Sequence, residues 1–313
     1  MSDSNWIRQL SDLPVRTQWA AITIGSFDGV HRGHASLLQH LRSVVETRGG
    51  EVVVVTFHPH PLAVLSKDRA PKLITTFEER ANRLFAAGAD WVIDLPFSEV
   101  RNQDAAEFVE QILVLGLRAK YVLAGPDLHF GRGRSGNSEL LAALGPKHGF
   151  QVDVAPAVLQ GEMRISSTLI RREVSEQGDM QSARALLGRP HRVTGRVVHG
   201  AKRGRQIGFP TANLEPQTEL LPAPGIYAAL AITVSGESHG AAVSVGHNPT
   251  FGTHGLTVEA YLLDFDGDLY GQELSLDFLA RLRGELAFES VEALIEQMNR
   301  DVASTRDIVK LER

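Results

Sequence analysis

The chain has 313 residues, enough for two domains, and its 43% hydrophobic and 22% charged residues give each half the means to bury a core. With 32 basic against 37 acidic residues the net charge is -5, which argues against a dedicated nucleic-acid binder. Cysteine is absent, so disulfides, thiolate zinc sites and cysteine nucleophiles are excluded.

Met1 to Trp19 lacks an apolar segment flanked by basic residues, so no secretory leader is expected. No apolar run approaches the ~20 residues that span a bilayer, and a cytoplasmic chain without a membrane partner is expected. Ala20–Ile24 is a short apolar strand ending at Gly25. Ala35–Val45 places Leu37, Leu38, Leu41, Val44 and Val45 along one helical stripe. Val52–Phe57 is continuously apolar, as in a strand buried on both faces of a parallel sheet. Helices near Glu78–Ala87, Ala105–Leu115 and Ser138–Leu144 then alternate with strands near Trp91–Leu95, Tyr121–Ala124 and Gln151–Val154. This order predicts an α/β Rossmann-like domain with a mostly parallel sheet. Gly188-Arg189-Pro190 reads as a linker, dividing the chain into residues 1–187 and 188–313. Beyond it come short strands: His191–Val198, Gly225–Val234, His239–Val245, Leu256–Phe265 and Glu273–Leu279. Asp266-Gly267 signals a hairpin between Leu262–Phe265 and Leu269–Tyr270. Helical periodicity returns at Val291–Lys310, so the second half is predicted as an antiparallel β-barrel with a C-terminal helix.

Gly25-Ser26-Phe27-Asp28-Gly29-Val30-His31-Arg32-Gly33-His34 lies between a strand end and a helix start, where free N–H groups and the helix dipole favour an anion. His31 and His34, three apart, can face one site and donate to phosphoryl oxygens. Ser166-Ser167-Thr168 followed by Arg171 offers hydroxyls and a guanidinium at a second helix start. Taken alone, the first string equally suits a helix cap with two surface histidines, and the second reads better as an ordinary capped helix with an exposed Arg. Gly131 to Gly136 contains a G-x-G-x-x-G, but it stands well past its strand and late in the domain, against a dinucleotide-dehydrogenase reading. His199 to Asn213 is a glycine-rich loop with Lys202, Arg203 and Arg205, suited to phosphates. It lacks the interleaved aromatics of an RNA platform. Asp264 to Asp268 mimics a calcium loop, but Leu269 occupies the position that requires glycine.

The strand–G-x-F-D-G-V-H-x-G-H–helix string with the later I-S-S-T-x-I-R resembles the adenylyltransferase module of the bacterial bifunctional riboflavin kinase/FAD synthetase family. Thr56-Phe57-His58-Pro59-His60-Pro61 and the string from Gly125 to Gly136 are similar to further family segments, with Leu128 where Phe is usual. In the second half Gly208-Phe209-Pro210-Thr211-Ala212-Asn213 resembles the riboflavin kinase signature. With His247 to Gly252, Glu259, Asp266 to Gly271 and Arg283 to Phe288 similar to further family segments, the resemblance covers about Ala20 to Asp301.

The resemblance implies an enzyme that phosphorylates riboflavin to FMN with ATP and adenylylates FMN to FAD. It implies His31, His34 and Arg171 as catalytic phosphate ligands. Gly25, Phe27, Asp28, Gly33, Asp127, Ser167 and Thr168 are implied around ATP in the first module, and Gly200, Lys202, Arg205 and Gly208 in the second. Thr211 and Asn213 are implied as Mg²⁺ ligands, Glu259 as general base, and Phe130, Arg283 and Glu285 as flavin contacts. The implied partners are the small molecules ATP, riboflavin and FMN; no nucleic acid is implied, and oligomeric state is not legible. A flavin sensor would carry a DNA-binding segment for which the two modules leave no length.

Overall fold

The computed structural model describes residues 5–13, 18–200, 204, 207–247 and 256–312. The chain forms two compact units: residues 1–71 with 77–165, and residues 72–76 with 166–313. Ser166–Leu187, grouped with the first half on sequence, packs in the second unit. There the Ala223 N–H donates to the Val174 carbonyl, and the helix Met180–Leu187 buries Met180, Ala183, Leu186 and Leu187.

In the first unit, strands β1 (Trp6–Ile7), β2 (Ala20–Ile24), β3 (Glu51–His58), β4 (Trp91–Pro96), β5 (Ala119–Ala124) and β6 (Gln151–Val154) form one sheet. Its order is β1-β4-β3-β2-β5-β6, and every pairing is parallel. The continuous apolar pattern of β3 follows from that placement: Val52 to Phe57 are all buried, because helices cover both faces. Helix α1 (Arg32–Arg48) buries Leu38, Leu41 and Val45, the stripe read from the sequence. The helix expected near Glu78–Ala87 is α2 (Phe77–Ala86). That expected at Ala105–Leu115 begins as α-helix at Ala105–Phe108 and continues π-helically over Val109–Gly116. β1 escaped the sequence reading because two residues carry no period. So did a small hairpin, β7 (Leu159–Gln160) with β8 (Met163–Arg164).

The chain winds outward from β2 through β3 to β4, then returns to add β5 and β6 on the other side of β2. The reversal point of such a sheet leaves a crevice at the strands' carboxyl ends. Gly25 follows β2 and Gly125 follows β5, so both glycine-bearing motif strings of the first half start there.

In the second unit, β9 (His191–Val198), β10 (Ala212–Pro216), β11 (Gly225–Thr233), β12 (Ser238–His247), β13 (Leu256–Leu262) and β14 (Glu273–Arg283) form a closed barrel in the order β10-β13-β12-β11-β14-β9. Every ladder is antiparallel. Alternate inward residues fill it, with Tyr227 and Phe278 edge to face at 5.4 Å. The Tyr227 hydroxyl donates to the Ala223 carbonyl at 2.5 Å, and burial pushes its pKa up to about 12. The Asp266-Gly267 hairpin is not formed. β13 pairs with β10 and β12, and β14 with β11 and β9, so closure leaves the two unpaired with each other. Residues 263–272 instead cross the barrel end. The C-terminal helix is Val291–Lys310, as expected, opened by the Ser290 hydroxyl accepting from the Ala293 N–H. Among the described residues no helix is long and apolar enough to cross a membrane.

Candidate active sites

The turn after β2 is built around backbone that few residues adopt. Phe27, Gly29 and Val30 have φ of 49°, 82° and 38°, and the Val30 N–H donates to the Phe27 carbonyl at 3.0 Å. A β-branched residue at positive φ is uncommon. His31 caps α1: its Nδ1 accepts from the His34 N–H at 3.3 Å. With Nδ1 an acceptor, a neutral His31 ring carries its proton on Nε2. The two imidazoles stack, centroids 3.6 Å apart and planes 15° apart, and His34 meets the Phe27 ring edge-on at 4.9 Å. Gly33 permits this, since a Cβ there would lie 3.1 Å from the His31 ring. Gly25 passes its N–H to the Val55 carbonyl, and Asp28 is buried. The sequence therefore brings Gly25, Phe27, Asp28, His31, Gly33 and His34 together at a helix N-terminus suited to phosphate.

Asp127 stands in the loop after β5, where the Arg164 guanidinium meets it at 2.5 Å and holds its carboxyl below the usual carboxylate range. Arg32 donates to Gln160 on the same hairpin at 2.8 Å. The β7–β8 hairpin is thus tied to both motif strings of this unit, a connection that the sequence did not signal. Phe130 lies in the core, tilted against Phe108 at 5.5 Å. Ser167, Thr168 and Arg171 belong to the second unit, on the short helix Ser167–Arg172. Ser166 is its cap, accepting from the Leu169 N–H at 3.2 Å, and Arg171 Nε donates to the Lys72 carbonyl at 2.8 Å.

One cluster that sequence reasoning missed lies beneath the β2 turn. Arg80 and Asp94 form a buried ion pair at 3.2 Å, with side chains 3% and 5% exposed. Burial lowers the Arg80 pKa and raises that of Asp94. The signal was present: Asp94 interrupts the otherwise apolar Trp91–Leu95.

In the barrel, Asn213 of β10 is the register partner of Glu259 of β13, and the Thr211 hydroxyl donates to Glu259 Oε2 at 3.3 Å. Gly200 lies against the Asn213 amide, and a Cβ there would come within 2.3 Å of it. Thr211, Asn213 and Gly200 line one side of a 430 Å³ cavity whose other side is the 263–272 crossing, including Phe265, Leu269 and Tyr270. The Tyr270 ring meets His199 at 4.0 Å. Oxygen donors from Thr211 and Asn213 beside a carboxylate fit a hard divalent cation that keeps waters and phosphate oxygens as its other ligands. Gly208 stands at φ 87°, while Lys202 and Arg205 lie outside the described residues. Arg283, at the end of β14, is held by Asp301 of the terminal helix in a bidentate pair at 2.7 and 3.1 Å. Glu285 is exposed and rests on Gly246, where a Cβ would lie 2.2 Å from its carboxylate.

A helix N-terminus suited to phosphate on a Rossmann-like sheet and a hydroxyl–carboxylate cluster on a closed barrel suit a two-module transferase. The model of the FAD synthetase family matches residues 14–169, and that of riboflavin kinase matches residues 187–309. A bifunctional riboflavin kinase/FMN adenylyltransferase of Pseudomonas fluorescens is 38% identical over 302 residues, 96% of each chain. The Escherichia coli K12 protein of the same description is 35% identical over 306 residues, 97% of each. A solved structure from Streptococcus pneumoniae, described as a macrolide-efflux protein, superposes with a TM-score of 0.86 at 30% identity, covering 96% of this chain and 99% of that one. The chain belongs to the bifunctional riboflavin kinase/FMN adenylyltransferase family.

Proposed function

We infer that the chain makes both flavin cofactors: the barrel phosphorylates riboflavin to FMN with ATP, and the Rossmann-like unit adenylylates FMN to FAD, releasing pyrophosphate. What carries this reading is similarity to bifunctional relatives over nearly the whole length, supported by the Gly25 string at the carboxyl end of β2 and by Asn213 and Glu259 as register partners in the barrel. In the barrel, Glu259 accepts the proton of the riboflavin 5′-hydroxyl as that oxygen attacks the γ-phosphorus. Thr211 and Asn213 would hold Mg²⁺, which would supply charge neutralisation on the ATP phosphates. The family resemblance assigns Gly200, Lys202, Arg205 and Gly208 to binding those phosphates. Arg283 and Glu285 border the flavin.

In the other activity an FMN phosphate oxygen attacks the α-phosphorus of ATP in line. Catalysis is positioning and charge neutralisation, with no covalent intermediate. His31 and His34 donate to ATP phosphates at the turn that Gly25, Phe27, Asp28 and Gly33 shape. The family resemblance assigns Ser167, Thr168 and Arg171 to phosphate binding, Asp127 to a polar contact with the nucleotide, and Phe130 to the flavin. The functional division follows residues 1–187 and 188–313, and the reactions take place in the cytoplasm. Incubation of the purified chain with riboflavin, ATP and Mg²⁺, with the flavins separated by chromatography, tests the reading. FMN first and FAD after it is expected; flavin binding without conversion would overturn it.

A further inference from the structure

Arg80 has no part in the chemistry above, yet it is 2% exposed and its charge is met by Asp94, 5% exposed. Removing two ions from water is costly, and an apolar pair of similar volume often stabilises a fold as well or better. Stability alone therefore gives no reason for the pair. Its hydrogen bonds do. Arg80 Nη1 donates to the Ser26 carbonyl at 3.2 Å, and Nη2 reaches both Asp94 at 3.2 Å and the Phe57 carbonyl at 3.5 Å. Ser26 follows β2, Phe57 is near the end of β3, and Asp94 is in β4. One guanidinium thus ties together the carboxyl-end regions of three neighbouring strands. The Thr56 hydroxyl donates to the same Ser26 carbonyl at 3.1 Å.

That carbonyl immediately precedes the strained segment with positive φ at Phe27, Gly29 and Val30. Such backbone persists only where its surroundings over-determine it. Two donors turn the Ser26 carbonyl inward, toward the sheet. The buried Asp28 lies close enough for its charge to favour the guanidinium as well.

We propose that Arg80, oriented by Asp94, is a positioning residue for adenylyl transfer, fixing the Ser26 carbonyl so that the turn into α1 keeps the shape that receives the ATP phosphates. The proposal rests on the reading of that turn as the phosphate site. Arg80 touches no substrate; it acts through the backbone of the turn.

The test uses the full chain carrying Arg80→Met with Asp94→Leu. Removing both charges together takes out the pair as a unit and avoids a buried Asp94 without its partner, while the turn loses its brace. The kcat for FAD formation from FMN is expected to fall on the order of 100-fold, as for a misplaced reacting group, with a smaller change in KM for ATP. Riboflavin phosphorylation by the same preparation is expected to be unchanged. A folded double variant with wild-type kcat and KM would overturn the proposal, as would a fall in kcat that only tracks the unfolded fraction seen by circular dichroism. Should the double variant not fold, Arg80→Lys decides. It keeps a charge for Asp94, but one ammonium cannot reach all three acceptors. A reduced kcat at full fold supports the brace, and wild-type kinetics refute it. His31→Ala, run in parallel, separates the two ideas: if it makes FAD normally, the phosphate-site reading fails and takes the brace with it.

Discussion

The Thr211 hydroxyl donates to Glu259 Oε2 at 3.3 Å, joining a residue that leads into one barrel strand to a carboxylate on its neighbour. Closure of the barrel makes this meeting possible, since β10 pairs with β13 at Asn213 and Glu259, while the two residues stand 46 positions apart in the chain. A carboxylate so placed beside hydroxyl and amide oxygens has the surroundings of a base for an incoming alcohol.

Glu259→Gln keeps the shape of the side chain and an acceptor for Thr211 but loses the basic oxygen. Riboflavin phosphorylation is expected to drop by roughly 10²–10⁴ in kcat, the range for a lost general base. Conversion of supplied FMN to FAD is expected at the wild-type rate. Flavin chromatography from the two starting substrates checks both, and parallel loss of the two activities in a folded variant would remove Glu259 from this role.

Gly200→Ala places a methyl group within 2.3 Å of the Asn213 amide, so either the loop or the amide must move. Because Asn213 is a proposed Mg²⁺ ligand, the Mg²⁺ concentration for half-maximal riboflavin phosphorylation is expected to rise. A magnesium titration measures this. FAD formation from FMN, run at saturating Mg²⁺, serves as the control and is expected to be unaffected.

The sequence made the core of each unit legible because long elements with a clear period bury what they appear to bury. The stripe of α1 and the apolar block of β3 are examples. Short elements were lost for want of a period: β1 has two residues, and β10 reads as polar Ala-Asn-Leu-Glu-Pro although it closes the barrel. Asp266-Gly267 misled because a turn signal says nothing about which strands pair, and closure had assigned the partners of β13 and β14 elsewhere. The motif strings gave the residues of each site but not their supports. Arg80 sits in an ordinary amphipathic helix pattern, and only the fold reveals that it reaches Ser26 and Asp94. Asp301, which holds Arg283, was equally hidden in the terminal helix.

Tyr227 gives a pH dependence that can be read directly. Its hydroxyl is buried and its pKa stands near 12 in the fold, against about 10 in an unfolded chain. Below pH 10 both states keep the proton and the contribution is complete. Between pH 10 and 12 the unfolded state releases its proton first, so stability falls as pH rises. Tyr227→Phe loses the bond to the Ala223 carbonyl, a cost of about 1 kcal/mol at neutral pH, and has no such titration. The difference in melting temperature between wild type and variant is therefore expected to shrink from pH 10 upward. A constant difference across that window would contradict the burial argument.

His31 has two functions that substitutions can separate. Its Nδ1 caps α1 through the His34 N–H, and its Nε2 is the proposed phosphate donor. Asparagine is among the best N-cap residues, and alanine is a poor one. His31→Asn is therefore expected to melt close to wild type, whereas His31→Ala loses about 1 kcal/mol with the cap. Both remove the imidazole and its stack on His34, so both are expected to lose most FAD formation while retaining riboflavin phosphorylation. Melting curves beside the two assays distinguish the effects. If His31→Asn made FAD as fast as wild type, His31 would be a helix cap alone, and the phosphate-binding role would pass to other groups at the turn.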